Sequence, residues 1–366
     1  MKFTIPREKL FAPVQTVNGV VERRQTLPIL SNLLLVAQDN ALSLTATDME
    51  VELVATVEHP VESPGEITVP ARKLLDICRA LPDEATVAFE VVTGRAVIQS
   101  GKSRFTLATL PAEEFPATEV QEPIVHFTIA QNVLKELISS THFAMAHQDV
   151  RYFLNGLMLE ISSGQVRGVA TDGHRLALCD TPVGVDVGEP LQVIVPRKGV
   201  LELARLLDDR DTEVAVAVGR NHIQITFAEL RYTAKLIDGR FPDYQRVLPA
   251  LQDAVLMGDR ALLRQGLTRA SILSNEKYRG IRLLLQANSM RALAHNPEQE
   301  EAEEEMEVEY GGEEMEIGFN VSYLLDALAA IKTAKVRLSV SDPNSSCLIL
   351  PEDSTSCQYV VMPMRL

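Results

Sequence analysis

Three stretches of this chain repeat one another at nearly constant spacing: Leu44 to Ala55 (LTATDMEVELVA), Val169 to Cys179 (VATDGHRLALC) and, more faintly, Leu293 to Met306 (LAHNPEQEEAEEEM). A period this long points to repeated domains and not to solenoid turns, so the chain reads as three versions of one unit. The starts agree. An offset of 124 places Phe127-Thr128-Ile129 on Phe3-Thr4-Ile5 and Leu134 on Leu10, and an offset of 253 places Arg260 and Leu263 on Arg7 and Leu10. Only the middle copy carries Gly173-His174-Arg175 after its Asp.

The same elements recur in each third. A short strand leads into a helix, with Pro6 and Asp259 suited to a first turn or cap. Apolar runs at Asn32 to Ala37, Asn155 to Ile161 and Ile281 to Gln286 predict strands, followed by turn residues such as Gln38-Asp39-Asn40 and Ser162-Ser163-Gly164. Their hairpin partners, Ala41 to Ala46 and Gln165 to Ala170, lead into the Ala-Thr-Asp motif. Second helices are predicted in VPARKLLDICRAL from Val69, VPRKGVLELARLL from Val195 and FNVSYLLDALAAI from Phe319. Their apolar faces are Leu74, Leu75, Cys78 and Leu81 in the first, and Val200, Leu201, Ala204 and Leu207 in the second. The Pro-rich segments Phe115 to Pro123 and Phe241 to Pro249 are the expected joints. Three α+β domains follow, 1–122, 123–250 and 251–366, each with two helices and a mainly antiparallel sheet.

Bulk properties narrow the class. With 366 residues, 46% hydrophobic and 23% charged, the chain has the composition of a globular protein. No apolar run approaches the roughly 20 residues of a spanning helix, and MKFTIPREKL is no signal peptide, so a cytoplasmic location is expected. Cys78, Cys179, Cys347 and Cys357 form no CxxC pair; all four are expected to be reduced and mostly structural.

A net charge of -15 hides an uneven distribution. The predicted helices with their flanks (6–24, 71–81, 131–146, 196–208, 259–273 and 321–335) hold 16 Lys/Arg against 8 Asp/Glu, which leaves 19 against 42 elsewhere. If these helices share a surface, it attracts a polyanion. The chain has no Trp, and few aromatics lie near the basic residues, so phosphate contact with a duplex is favoured over base stacking.

Catalytic chemistry has one candidate. Asp172 and His174 lie two residues apart and could serve as an acid/base pair or as metal ligands. One Asp and one His are too few for a metal site, however, and Asp48 recurs in a copy without the His, which gives Asp172 a structural task such as capping a turn. No Walker loop, GxGxxG, HExxH or GxSxG motif occurs. The acidic run Glu298 to Glu309 reads as a solvated face or a docking edge, not a metal cage. The chain is therefore expected to be no enzyme and to need no cofactor. The alternatives are an acid/base or metal enzyme using Asp172 and His174, or a protein-only scaffold. The end, YVVMPMRL from Tyr359, combines a last strand with an adaptable Met-Pro-Met suited to apolar peptides.

Several stretches together carry a resemblance over the whole length. They are Thr26 to Leu30, Val69 to Lys73, Ala146 to Tyr152, Thr171 to Leu176, Val195 to Gly199, Asp238 to Tyr244, Ser274 to Lys277, Asn296 to Glu300 and Val361 to Leu366. In these the chain resembles the β sliding-clamp family, the β subunits of bacterial DNA polymerase III. The resemblance implies a DNA-clamp fold and a ring-shaped head-to-tail homodimer with helices lining the hole. It implies a replication processivity factor that encircles double-stranded DNA. The replicative DNA polymerase, the clamp loader and other clamp-binding-motif proteins would be its partners.

Carried over position by position, the resemblance implies a partner-peptide pocket of Leu154, Thr171, Gly173, His174, Arg175, Leu176, Pro242, Arg246, Val247, Val360, Met362, Pro363, Met364 and Arg365. DNA contacts would come from Arg24, Arg72, Gln148, Tyr152, Arg197 and Lys198. At the dimer interface Lys73, Arg95, Lys102, Arg104, Phe105 and Leu107 would meet Ile272, Leu273, Glu298, Glu300 and Glu304, basic against acidic. Val20 to Gln25 (VVERRQ) departs from the family's more Gly-rich loop.

Overall fold

A computed structural model of the chain describes residues 1–22, 27–116, 118, 122–251 and 255–365. Among these residues six α-helices fall two to each third: α1 (Arg7–Val17), α2 (Ala71–Ala80), α3 (Gln131–Ser139), α4 (Arg197–Leu206), α5 (Arg260–Ser271) and α6 (Val321–Ala330). Local chemistry sets their starts. Pro6 precedes α1 as its N-cap residue, and Asp259 caps α5 by accepting the Leu262 N–H at 2.9 Å. In α2 the buried face is Leu74, Leu75 and Cys78, as the spacing predicts. The second of these faces differs from expectation. Leu201 is 42% exposed, and Leu203 is buried with Val200 and Leu207, because positions 200, 203 and 207 form one stripe and 201 lies about 100° off it.

Among the described residues every strand pair is antiparallel, within the hairpins because their turns are short, and also where strands distant in sequence meet. Contacts gather the chain into two compact units, Met1–Asn132 with Leu201–Leu236, and Val133–Val200 with Ile237–Leu366. The reason lies in two eight-stranded sheets of matching order. In the first unit Gly65–Pro70, Asn32–Gln38, Ala41–Thr47 and Val51–Glu58 continue into Leu230–Lys235, His222–Thr226, Glu213–Val218 and Val125–Ala130. In the second, Leu191–Pro196, Gly156–Ser162, Gln165–Thr171 and Arg175–Pro182 continue into Cys357–Val361, Cys347–Pro351, Lys335–Ser339 and Val255–Asp259. Each sheet thus joins strands from two consecutive thirds across one seam.

The two seams are built alike. Leu53 faces Tyr232 in the first and Ala177 faces Tyr359 in the second, and both tyrosines are fully buried. Each unit also holds a four-stranded sheet. One ends at Ser103–Ala108 and the other at Glu301–Glu307.

Cysteine usage departs from expectation. Cys179 and Cys357 are directly opposed across the second seam and joined as a disulfide, although all four thiols were expected to be reduced. Sequence spacing could not show this, because the partners are 178 residues apart and meet only through strand pairing. Cys78 and Cys347 are free and buried, and burial pushes their thiols up to about 11 and about 12.

Candidate functional site

The repeated Thr-Asp pair builds the same turn twice. In the first unit Thr47 Oγ1 donates to the Val51 carbonyl at 2.9 Å and accepts from Met49 N–H at 3.0 Å. Asp48 Oδ1 accepts the N–H groups of Glu50 and Val51 at 2.9 and 2.7 Å. In the second, Thr171 Oγ1 donates to the Arg175 carbonyl at 2.6 Å and accepts from Gly173 N–H at 3.1 Å. Asp172 Oδ1 accepts from His174 and Arg175 N–H at 2.9 and 3.0 Å. Asn296 keeps part of this in the third copy, where its Oδ1 accepts Glu300 N–H at 2.9 Å. The Asp side chain is a turn cap in the first two copies, and Asn296 takes that part in the third.

This geometry sets aside the acid/base reading. Asp172 spends Oδ1 on two backbone donors and Oδ2 on Arg175 Nε at 3.1 Å, so it holds a loop in place. His174 has an exposed side chain, and its carbonyl accepts the Met362 N–H at 2.9 Å. Among the described residues no three His, Cys, Asp or Glu side chains are gathered to hold a metal ion.

What the copies do not share opens a cavity in the second unit. The turn's third residue has φ +88° at Gly173, where a Cβ would stand 3.0 Å from the Arg151 guanidinium. At the corresponding point of the first unit Met49 has φ +76° and is 57% exposed. Across the seam, Leu176 faces Val360, whereas the first unit sets Glu52 opposite Thr233. One seam has an apolar floor and the other a polar one.

The cavity, of about 160 Å³, sits on this floor. Thr171, Gly173, Arg175 and Leu176 supply one side, and Leu154 with Arg151 a second. Pro242, Asp243, Tyr244 and Val247 form a third wall, and Val360 and Met362 close it. A buried cluster including Met158, Val169, Leu178, Ile194, Phe241 and Leu348 packs beneath. Nine of the pocket residues expected from sequence therefore line one cavity. His174, Arg246, Pro363, Met364 and Arg365 do not line it; Arg246 turns away to pair with Asp243 at 2.8 Å, and Met364 N–H donates to the Gly318 carbonyl at 2.8 Å. Sequence reading missed Arg151, Asp243 and Tyr244. A signal existed for all three, because Arg151 lies in the Ala146 to Tyr152 stretch and Asp243 and Tyr244 in the Asp238 to Tyr244 stretch that carry the resemblance, the latter two next to the expected pocket residue Pro242.

Arg175 is the hub of the site. Its guanidinium donates to Asp172, to Asp326 of α6 and, at 2.8 Å, to the Phe143 carbonyl, and it lies 4.5 Å from the centroid of the Tyr323 ring. Arg151 is held differently, with Nε and Nη2 on the two oxygens of Asp149 at 3.0 and 2.8 Å. The Arg151 side chain, followed by its backbone N–H, pulls the Asp149 carboxyl down to about 2. Because the folded value is the depressed one, the pair supports this loop at every pH above the ordinary carboxylate range and loses that support only as pH falls toward 2. A carbon-detected NMR titration is expected to place the Asp149 midpoint near 2; a midpoint near 4 would mean the pair does not form in solution.

The other expected site residues are dispersed. Arg24 lies outside the described residues. Arg72 is exposed on α2, and Gln148, at φ +56°, and Tyr152 are exposed on the loop before the cavity. Arg197 and Lys198 are half-buried at the start of α4, with Arg197 Nη1 donating to the Met145 carbonyl at 3.3 Å. Lys102 and Arg104 are exposed at the free Ser103–Ala108 edge with Phe105 half-buried and Leu107 buried, while Lys73 is exposed on α2 and Arg95 on the neighbouring strand. In the second unit Ile272 is 73% exposed just after α5, Leu273 is half-buried, and Glu298 and Glu300 are exposed. Glu304, on the free Glu301–Glu307 edge, is bound by Arg269 of its own chain at 2.7 and 2.8 Å.

Comparison with known proteins gives one answer throughout. Residues 1–119, 128–243 and 245–365 match the models described as the N-terminal, central and C-terminal domains of the DNA polymerase III beta subunit. A beta sliding clamp of Pseudomonas aeruginosa is 56% identical over 367 residues, covering all of both chains. A DNA polymerase sliding clamp crystal structure from the same organism, with ligand, matches at a TM-score of 0.98 and 55% identity over all of both chains. A further structure from that organism, a sliding clamp bound to griselimycin, matches at 0.96 and 56% over all of both chains.

Proposed function

The chain belongs to the DNA polymerase III β subunit family, and on that premise we propose how it works as a sliding clamp in DNA replication. It is a processivity factor and not an enzyme. Two copies join head to tail, encircle duplex DNA without reading its sequence, and tether the polymerase and other replication and repair proteins. The clamp loader and the replicative polymerase act on it in the cytoplasm. Each third, 1–122, 123–250 and 251–366, serves as one repeat domain.

The observation that carries the tethering half of this reading is the apolar cavity at the second seam. Its floor of Leu154, Leu176 and Val360 is buried, and its rim holds Met362 and Val247, an arrangement that takes large apolar side chains of a short peptide. We assign the peptide pocket to it, and assign griselimycin, the compound bound by a similar clamp, to the same place.

For the ring, the free Ser103–Ala108 and Glu301–Glu307 edges support closure. A free strand edge is a template for pairing, and the residues around the first are basic while the second is rich in Glu. Ile272, exposed beside Leu273, would then be covered by the neighbouring copy. For DNA, Arg72, Gln148, Tyr152, Arg197 and Lys198 would give the weak contacts that permit sliding, with Arg24 added from outside the described residues. Holding power comes from closure. Protein loaded on circular duplex is therefore expected to persist through a salt rise that strips phosphate contacts, and to be lost within minutes once the circle is cut. Reversing Lys102 and Arg104 to Glu should abolish retention by opening the ring. Equal loss from cut and uncut circles would end the ring reading.

A further inference from the structure

The face of the second eight-stranded sheet that floors the cavity is apolar in successive rows, with Met158, Val169 and Leu178 in register. Two residues further along, the same face changes character. Gln192, Glu160, Arg167 and Asp180 stand in one row across four strands, since Gln192 pairs with Glu160, Glu160 with Arg167 and Arg167 with Asp180. Alternation along a strand keeps this row on the face that floors the cavity; Gln192 at its end is exposed, but Glu160, Arg167 and Asp180 are half-buried there, and three charged residues so placed need a reason.

Their hydrogen bonds supply one. Arg167 Nε and Nη2 donate to the two Asp180 oxygens at 2.5 and 2.8 Å, and Gln192 Nε2 donates to Glu160 Oε2 at 2.5 Å. What remains of the row is turned to a single atom outside the sheet. Arg167 Nη1 donates to Tyr244 Oη at 3.0 Å, and Tyr244 Oη donates to Glu160 Oε1 at 3.3 Å. The ring of Tyr244 is 4% exposed, and the Arg167 guanidinium lies 5.9 Å from its centroid. Tyr244 opens the Tyr244–Val247 3-10 turn, which has no side-chain N-cap, and that turn with Pro242 and Asp243 is the third wall of the cavity. Between Pro242 and Val247 the phenol is thus the anchor that ties the wall to the sheet.

We propose that the Glu160–Arg167–Asp180 row is a positioning device for the peptide pocket, acting through the Tyr244 hydroxyl to hold the Pro242–Val247 wall at the distance a bound apolar side chain requires. It rests on the pocket reading above and adds residues that do not line the pocket. A preorganised wall lowers the ordering cost of binding, so loosening it weakens affinity without removing any contact atom. The hydrogen bond to the Asp180 carboxylate, with a further one to Tyr244, holds the Arg167 pKa above its already high ordinary value.

The test uses the full chain and griselimycin titrated by calorimetry, with circular dichroism and dimer mass as checks of folding. Tyr244→Phe keeps the ring in its core and removes only the anchor atom; it is expected to weaken binding about tenfold, as is Arg167→Met. The double variant Arg167→Met with Asp180→Leu replaces a half-buried ion pair by apolar groups and is expected to regain stability while staying weak in binding. Unchanged affinity in Tyr244→Phe, or wild-type affinity in the double variant, would overturn the proposal. Val247→Asp, on the rim and outside the row, separates the two readings. Weakening there with none in Tyr244→Phe removes the row alone, whereas no weakening in either removes the pocket as well.

Discussion

Arg175→Ala is expected to lower the stability of the second unit by about 3 kcal/mol, the low end of the range for breaking one partner out of a buried ion pair, since Asp172 is largely covered but Asp326 is half exposed. The side chain is 13% exposed and ties together three elements: the Asp172 turn, the carbonyl of Phe143, and Asp326 with Tyr323 on α6. Its loss strands the Asp172 Oδ2 lone pairs and the Phe143 carbonyl in a site that water reaches poorly, and a missing hydrogen bond costs most where the remaining partner stays dry. Arg175→Lys should recover only part of the loss, since an ammonium cannot present the guanidinium fork to two carboxylates and a carbonyl at once. Chemical denaturation measures the total, and hydrogen exchange of the Arg175–Pro182 strand localises it. A titration adds a signed check. Burial and the Asp172 charge raise the Tyr323 phenol above its ordinary value while Arg175 opposes them, so removing the arginine should raise it further. A drop of less than 1 kcal/mol would mean that the hub is not what holds the turn.

Deleting Met362 to Leu366 should abolish griselimycin binding at any practical concentration, a loss of 100-fold or more, with little effect on retention on circular DNA. The tail does not hang free. Met362 N–H is held by the His174 carbonyl and Met364 N–H by the Gly318 carbonyl, so Met362 is placed against Val360 at the mouth of the cavity. Full burial of one large apolar side chain contributes about 1.5–3 kcal/mol, and two such anchors lose their cover when the tail goes. At 1.4 kcal/mol per tenfold that amounts to two decades or more. Titration of the truncated chain decides the matter, and an affinity within threefold of wild type would move the partner site elsewhere.

The contrast between these two predictions shows how the site was assembled. Arg175 lies inside the repeated motif, and its place could be read from local rules: Thr171 and Asp172 close a turn, Gly173 takes positive φ, and the next residues start a strand. Comparing copies was enough to give Asp172 a structural task, because Asp48 makes the same two bonds without a histidine beside it. Helix positions were legible for the same reason, apart from Leu201, where a face one residue wide of the buried stripe was chosen.

Other features had no local signature. Phe241 to Pro249 read as a joint by its prolines, yet Phe241 and Tyr244 are buried, and the segment walls the cavity because Arg167 and Glu160 wait for the phenol on strands about 80 residues away. Acidic residues along Glu301–Glu307 were visible as charge, but that they lie on a free strand edge depended on the sheet order.

By itself, then, the sequence determined the repeat, the helices, the hairpins and the capped Thr-Asp turn, because each depends on residues a few positions apart and on backbone preferences that act at short range. Only the tertiary structure decided which strands meet at the seams. It set Leu176 against Val360 in one unit and Glu52 against Thr233 in the other, and it brought Cys179 to Cys357 across 178 residues. Strand partners are chosen by the burial of whole faces, a property of the closed sheet that no short window of residues carries.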